Sequence, residues 1–257
     1  MTESHIFKGE KAPLIFGHRG CPLLAPENSL SSFKKILEYN VPGVEIDVQV
    51  CKSGELVIFH DDNLKKKTGY DGNIVDTDIS RIRSLDCGSH FSEKYKDERI
   101  PLLEEVFQLL GDKVYYDIEL KADYMKNRNL EIKVFQMIKD FNLEHRVLVS
   151  SFNPITLIRF RRYSKTIPLS LIYSNTKKNP PLLRQGKGRF IQKNSGIKPD
   201  SRFLDEKLFK KLNRKYDVMT WTVDDEKRFR ELEKWGISGI CSNRADFFVS
   251  GKFIDQD

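Results

Sequence analysis

Two histidines, three carboxylates, an arginine and a lysine stand where short apolar runs of this chain break off. His18 ends LIFGH and is followed by Arg19, and His60 ends LVIFH. Glu45 and Asp47 alternate with Val44, Ile46 and Val48, and Asp117, Glu119 and Lys121 alternate with Tyr116, Ile118 and Leu120. Successive side chains of a strand point to opposite faces, so each set shares one face of its strand. Glu45 and Asp47 would sit roughly 6.6 Å apart at Cα, close enough for both to close on one cation. With Glu119 from another strand they offer three hard oxygen ligands, the set that suits Mg2+ or Ca2+; zinc would call for cysteine or several histidines. Imidazole titrates near neutrality, so one histidine can take a proton from a nucleophile while the other gives one to a leaving group. Arg19 offers a planar fork to phosphate oxygens, and Lys121 adds a second cation. Together these parts suit phosphoryl chemistry, in which positioning and charge neutralisation supply most of the rate. Each fragment alone has a plainer reading: an exposed edge-strand face for Glu45-x-Asp47, an ion pair for Glu119-x-Lys121, a hydrogen-bonded structural histidine for His18 or His60. Their joint occurrence at the ends of four segments is what points to a site.

The elements that must position them alternate from start to finish. Apolar runs at Leu14–His18, Val44–Val50, Leu56–His60, Val114–Lys121, Val147–Phe152, Leu169–Tyr173, Gly196–Lys198 and Val218–Val223 predict strands, with Gly239–Ser242 as a ninth. Helix-period stretches lie at Pro26–Tyr39, Leu102–Leu110, Asn129–Phe141, Pro154–Tyr163, Asp205–Tyr216 and Asp224–Trp235. Asn28 or Ser29 would cap the first helix, and Asn153 with Pro154 the fourth. Such a series is the mark of βα units, laid out as an open doubly wound sheet or closed into a barrel. A barrel would gather reactive groups at the C-terminal ends of several strands, as found here. Pro26-Glu27-Asn28 reads as a turn and helix start.

With 257 residues and 39% hydrophobic composition the chain can bury a sizeable core, and no Ser/Gly or Pro-rich linker divides it, so one domain over residues 1–257 is the simpler expectation. No apolar run approaches the ~20 residues that span a bilayer, and the opening MTESHIFKGEK has no apolar signal-peptide core, so a soluble cytoplasmic protein is expected. Cys21, Cys51, Cys87 and Cys241 are widely spaced without a CxxC pair, which fits free thiols. The net charge of +7 is concentrated: residues 159–215 hold 17 Lys/Arg against 3 Asp/Glu. Such a segment could attract phosphates, anionic lipid or nucleic acid, or form a solvated outer face of helices.

GHRG followed by APENS, then GVEIDVQ, LVIFHDDNLKKKTGYDG, IPLLEEV, DIELK, SSFNP and MTWTVDD, resembles the glycerophosphodiester phosphodiesterase family, in order and over essentially the whole chain. The resemblance implies a (β/α)8 TIM barrel with a small inserted subdomain, which would be Asp61–Pro101. It makes Leu56–His60 a partner of Val44–Val50 outside the barrel, and recruits Gly239–Ser242 as the last barrel strand. It implies His18 and His60 as the acid/base pair, Glu45, Asp47 and Glu119 as ligands of one divalent cation, and Arg19 and Lys121 as phosphate contacts. Trp221 would pack on the glycerol or alcohol moiety, although an ordinary core position explains it equally. Two departures stand out: PENS where the family often has PENT, a change that keeps the hydroxyl, and CSNRAD where the last strand often ends in a Thr-Asp turn.

The expected activity is therefore metal-dependent cleavage of small-molecule glycerophosphodiesters to sn-glycerol 3-phosphate and an alcohol. A lysophospholipase D is the second reading, motivated by Leu182-Leu183 among lysines in SNTKKNPPLLRQGKG, which could give a transient contact with an anionic membrane. A non-catalytic phosphodiester or nucleic-acid binder is the third. The retained histidines and carboxylates argue against it, as does the lack of interleaved aromatics, so no nucleic-acid partner is expected.

Overall fold

The computed structural model describes residues 7, 13–122, 129–176, 184–190 and 195–251. Its strands are β1 (Leu14–His18), β2 (Gly43–Val50), β3 (Leu56–Ile58), β4 (Tyr115–Leu120), β5 (Val147–Ser151), β6 (Leu169–Tyr173), β7 (Gly196–Pro199), β8 (Asp217–Thr220) and β9 (Gly239–Ser242). All but β3 pair in parallel around a ring that closes where β1 meets both β9 and β2. The helices α1 (Leu30–Glu38), α2 (Lys65–Thr68), α3 (Ile79–Ser84), α4 (Leu103–Leu110), α5 (Leu130–Asp140), α6 (Pro154–Tyr163), α7 (Glu206–Leu212), α8 (Glu226–Trp235) and α9 (Ala245–Ser250) follow. After β6 the described helical stretch is a 3-10 segment, Arg184–Phe190. The fold is a (β/α)8 TIM barrel, and the open doubly wound sheet is excluded by the closure.

Strand β3 lies antiparallel against β2 outside the ring. It is shorter than the sequence predicts: Phe59 N–H makes the last backbone bond to β2, to Asp47 O at 3.0 Å, after which the backbone is gripped by a side chain. Gln49 Nε2 donates to Phe59 O at 2.8 Å and Asp61 O at 3.0 Å, so His60 stands on a bend beyond the strand. Helix α1 also starts later than predicted. Asn28 takes a left-handed φ of 54°, which no helix continues, and Ser29 becomes the cap, its side chain accepting Ser32 N–H at 3.0 Å. Strand β8 stops at Thr220, beyond which Trp221 keeps a single parallel bridge to Asp200, its carbonyl accepting Ser201 N–H at 2.7 Å. The predicted Asp205–Tyr216 helix ends at Leu212, with Asn213 as its C-cap.

The barrel interior is graded along its axis. Its lower part is apolar: Leu14, Phe16, Leu148, Met219 and Cys241 pack together, and Phe7 sits against Tyr115 with ring centres 4.6 Å apart. Gly43 makes room there, since a Cβ on it would stand 2.5 Å from the Phe16 ring. Between strands and helices a larger apolar layer includes Phe33, Ile46, Phe107, Tyr116, Ile118 and Phe160. All four cysteines are free and buried. No described helix is long and apolar enough to cross a membrane.

Between β3 and α4 the chain builds a small core of its own from Phe59, Leu64, Ile74, Ile82, Leu85 and Ile100, set against Cys51 and Val57. Polar contacts tie it to the barrel at both ends. Tyr95 Oη donates to Leu24 O at 2.7 Å and Ser31 Oγ to Glu98 Oε2 at 2.5 Å, while Arg83 forks onto Glu105 of α4 with two 2.7 Å bonds. A bidentate pair fixes orientation as well as distance. Asp86 holds the turn at the far side, accepting the N–H groups of Gly88 (2.7 Å), Ser89 (3.0 Å) and Asp97 (3.2 Å) and the Ser89 hydroxyl (2.5 Å). Partial burial pushes its carboxyl up, but these donors outweigh it and hold the group well below the usual carboxylate range. A lowered folded value stabilises the fold above the unfolded pKa of about 3.9, and the gain is lost as pH falls below it. Asp86→Asn is therefore expected to lower the melting temperature at pH 7 by about 2–4 °C. The gap to wild type should narrow below about pH 4, and a gap independent of pH from 7 to 3 would refute the assignment.

Candidate active site at the barrel mouth

Strands β1, β2 and β4 are neighbours, and their register pairs His18 with Glu45, Glu45 with Asp117, and Asp47 with Glu119. Glu45, Asp47 and Glu119 turn inward at the C-terminal rim, all three buried, with one oxygen of each within 4.8 Å of the others. The sequence-derived face of β2 and β4 is thus the one that meets.

Cations and donors from the neighbouring loops crowd this cluster. Arg19 N–H donates to Glu45 Oε2 at 2.9 Å, and the guanidinium Nε lies 3.3 Å from Asp47 Oδ2, without the alignment of a hydrogen bond. Arg19 itself takes a left-handed φ of 60°, in a turn where a Cβ on Gly17 would stand 2.3 Å from Gly20 O. Its Nη1 donates to Glu27 Oε1 at 3.0 Å, and Asn28 Nδ2 donates to Asp47 Oδ2 at 2.8 Å. Pro26-Glu27-Asn28 is consequently more than a turn: Glu27 steadies the arginine and Asn28 steadies a carboxylate. Lys121 Nζ stands 3.2 Å from Glu119 Oε1 and 3.7 Å from Asp47 Oδ1.

Burial, and then the charge of Asp47, push Glu45 well above its ordinary value. Burial pushes Asp47 the same way, but Lys121 and Arg19 outweigh it and hold this carboxyl down to about 2. Asp47 Oδ1 is buried with no hydrogen-bond partner, and leaving such a group unmet costs about 1–3 kcal/mol or more. Three acceptor oxygens, one of them orphaned, are the donor chemistry of a hard divalent cation. The cluster can hold a metal ion.

His18 Nδ1 lies 2.7 Å from Asn243 Oδ1. The amide orientation is set from behind: Asn243 Nδ2 donates to Asp224 Oδ2 at 2.7 Å, and a carboxylate can only accept. Asn243 therefore turns its oxygen to the ring, His18 Nδ1 carries the hydrogen, and Nε2 keeps a lone pair. Burial, and then Arg19, pull His18 down to about 4, so it is neutral at pH 7. Beside it Cys241 is kept protonated by burial. His60 differs in its partner, since its Nδ1 lies 2.7 Å from the Asp61 carboxylate. Trp221 is half-buried at the rim, its Nε1 donating to Lys198 O at 3.2 Å and its ring edge-on to Phe152 at 5.5 Å. Leu182 and Leu183 lie outside the described residues.

The structure adds a pair that sequence reasoning missed. Lys198 of β7, buried among the strands, donates to Asp117 of β4, whose other oxygen accepts the Ser150 hydroxyl at 2.5 Å. Lys198 belongs to the basic segment 159–215 but faces the barrel interior. The strand at Gly196–Lys198 was expected, but not the inward direction of its lysine, and the placing of Asp117 on one face with Glu119 was the one available signal for its partner. Asn243, seen in the sequence only as part of a departure from a pattern, is likewise the residue that orients His18.

A (β/α)8 barrel whose mouth gathers three carboxylates, two cations and two histidines defines a barrel hydrolase. The sequence profile of the Glycerophosphoryl diester phosphodiesterase family matches residues 18–247. A glycerophosphodiester phosphodiesterase of Caldanaerobacter subterraneus subsp. tengcongensis is 32% identical over 240 residues, covering 92% of this chain and 96% of that protein. One from Bacillus altitudinis is 30% identical, covering 90% and 95%. Among solved structures, an Oleispira antarctica phosphodiesterase in complex with the product sn-glycerol-3-phosphate superposes with a TM-score of 0.83 at 27% identity, covering 93% of this chain and 96% of that one. The chain belongs to the glycerophosphoryl diester phosphodiesterase family and is an enzyme of the phosphoric diester hydrolase class.

Removing one member of a buried ion pair strands the other. Lys198→Met is expected to cost about 3–5 kcal/mol in urea unfolding, and adding Asp117→Asn should recover part of that loss. Two additive losses would show that the pair is not coupled.

Proposed function

We propose that this chain, acting as one domain with Asp61–Pro101 as an insertion, hydrolyses glycerophosphodiesters to sn-glycerol 3-phosphate and an alcohol. The observation that carries the reading is the buried Glu45–Asp47–Glu119 cluster with its orphaned Asp47 oxygen, set between two histidines of different hydrogen-bond character. The product bound in the Oleispira relative supports the same product here. Glu45, Asp47 and Glu119 would hold one divalent cation, Mg2+ or Ca2+. Such an ion, when bound, neutralises charge on a non-bridging phosphate oxygen and lowers the pKa of the attacking hydroxyl.

The chain's own groups do the rest. Arg19 and Lys121 bind phosphate oxygens, each held in place by a carboxylate partner. His18, neutral with Nε2 open, takes the proton of the nucleophile. His60 donates Nδ1–H to Asp61, which orients the ring, and passes a proton from Nε2 to the oxygen of the departing alcohol. Trp221, backed by Phe152, offers a half-buried ring to the glycerol carbons.

A coupled glycerol-3-phosphate assay over a panel of head groups tests this. EDTA should abolish turnover and Mg2+ or Ca2+ should restore it, with Glu45→Gln requiring more metal for half-maximal rate. His18→Ala and His60→Ala should each lower kcat by about 10²–10⁴-fold with melting temperatures preserved. Inertness of the metal-loaded protein toward every glycerophosphodiester, or full activity in both histidine variants, would overturn the reading.

A further inference from the structure

Lys65, Lys66 and Lys67 stand in a row near the start of the inserted segment, and the fold treats them differently. Buried Leu64 anchors α2 in the insertion's own core, and Gly69, left-handed at a φ of 76°, ends the helix after one turn. Lys65 pairs with the exposed Asp71 and Lys66 is exposed, whereas Lys67 turns toward the barrel with its side chain only 15% exposed. Its Nζ lies 3.4 Å from Glu27 Oε1, the same oxygen that accepts Arg19 Nη1 at 3.0 Å. Burial pushes the Glu27 carboxyl up, but Arg19 and then Lys67 outweigh it and hold the group below its ordinary value.

One carboxylate oxygen is thus divided between the arginine of the barrel mouth and a lysine brought by the insertion. The insertion's contacts at Leu24, Ser31 and Glu105 involve none of the charged groups of the mouth. Arg19 also faces Asp47 at 3.3 Å, so two carboxylates compete with a phosphate for its guanidinium. A second cation on Glu27 draws off part of that carboxylate's attraction and leaves Arg19 freer to hold phosphate oxygens. Without it, Arg19 and Glu27 would close into a neutral pair. The void that Lys67 shares with Glu27, His60 and Asp61 holds about 10 Å3, room for one water at most, so no phosphate reaches the lysine from that side.

Resting on the phosphodiesterase reading, with Arg19 as a phosphate contact, we propose that Lys67 is a positioning residue for the reaction. Through Glu27 Oε1 it sets how strongly Arg19 binds the phosphate, and the inserted segment thereby takes part in substrate binding. The effect falls on phosphate binding in substrate and product alike, not on the proton transfers.

The test measures kcat and KM for the best substrate of the panel above, and the dissociation constant of sn-glycerol 3-phosphate by calorimetry, all with metal-loaded protein. The proteins compared are wild type, Lys67→Met, Lys67→Arg, Glu27→Gln and the double variant of Lys67→Met with Glu27→Gln. Lys67→Met is expected to raise KM and the dissociation constant about fivefold, with kcat within about twofold and Lys67→Arg near wild type. In the Glu27→Gln background the same substitution should change both by less than about twofold, because the group through which the lysine acts is gone. Melting temperatures confirm folding, and Lys67→Gln takes the place of Lys67→Met if the latter does not fold. Unchanged KM and dissociation constant in Lys67→Met, with or without a lower melting temperature, overturns the inference and leaves the phosphodiesterase reading intact. So does an equal loss with and without Glu27, which would give Lys67 a route that bypasses this carboxylate. Failure of wild type to cleave any diester would instead sink the phosphodiesterase reading, and this inference with it.

Discussion

Three buried carboxylates with oxygens inside 4.8 Å repel one another, and much of the mouth of this barrel is arranged around that repulsion. Unscreened by water, like charges at such range would drive proton uptake until little negative charge remained. Arg19, Lys121 and the donor amide of Asn28 resist this from three directions, and they act most strongly on Asp47. The balance is uneven: Asp47 is held ionised while Glu45, farther from the lysine, takes up the strain as a raised pKa. Even so, one Asp47 oxygen has no donor. The protein alone compensates the cluster incompletely, and the missing positive charge is what a divalent cation would bring.

The barrel makes this concentration of charge tolerable by grading its interior. Phe7, Phe16, Leu148 and Met219 fill the lower part with apolar volume and keep water out. Above them Lys198 and Asp117, with Ser150, form a neutral, hydrogen-bonded layer. A lysine buried to this depth persists because its partner is fixed in register on another strand. Its position also brings positive charge beneath Glu45, acting on that carboxylate from below as Arg19 does from the rim. The rim then carries the carboxylate cluster with Arg19 and Lys121 against it. Parallel pairing of β1, β2 and β4 aligns these levels, because one register sets His18, Glu45 and Asp117 side by side.

What could be read in the sequence follows from this geometry. Two-residue alternation in GVEIDVQV and YYDIEL placed Glu45, Asp47 and Glu119 on one face, since a period-two pattern survives any tertiary context that keeps the strand. Closure of the ring was not legible from periodicity: a short run such as GICS becomes a barrel strand only by pairing with β1 and β8. His60 was found as a strand end but sits past it, because a side chain, Gln49, replaces the backbone ladder there. Lys198 was passed over because one basic residue between Ile197 and Pro199 looks the same whether it faces solvent or a buried aspartate 81 residues away. Glu27 and Asn28 carried turn chemistry in the sequence, and only the left-handed turns at Arg19 and Asn28 bring them against Arg19 and Asp47.

The two histidines show how one residue type acquires two characters. Each has its Nδ1 hydrogen engaged, so each presents Nε2 outward, and the difference lies in what receives that hydrogen. For His60 it is the carboxylate of Asp61. For His18 it is a neutral amide oxygen, with the nearest charge behind it, on Asp224, already satisfied by Asn243 Nδ2, Asn243 N–H and the Ser242 hydroxyl. Asn243 therefore transmits orientation from Asp224 without transmitting its charge. Were residue 243 an acid in direct contact with the ring, His18 would gain support for its protonated form. The neutral amide at the end of β9 supplies no such charge, so burial and Arg19 prevail and His18 stays neutral at pH 7.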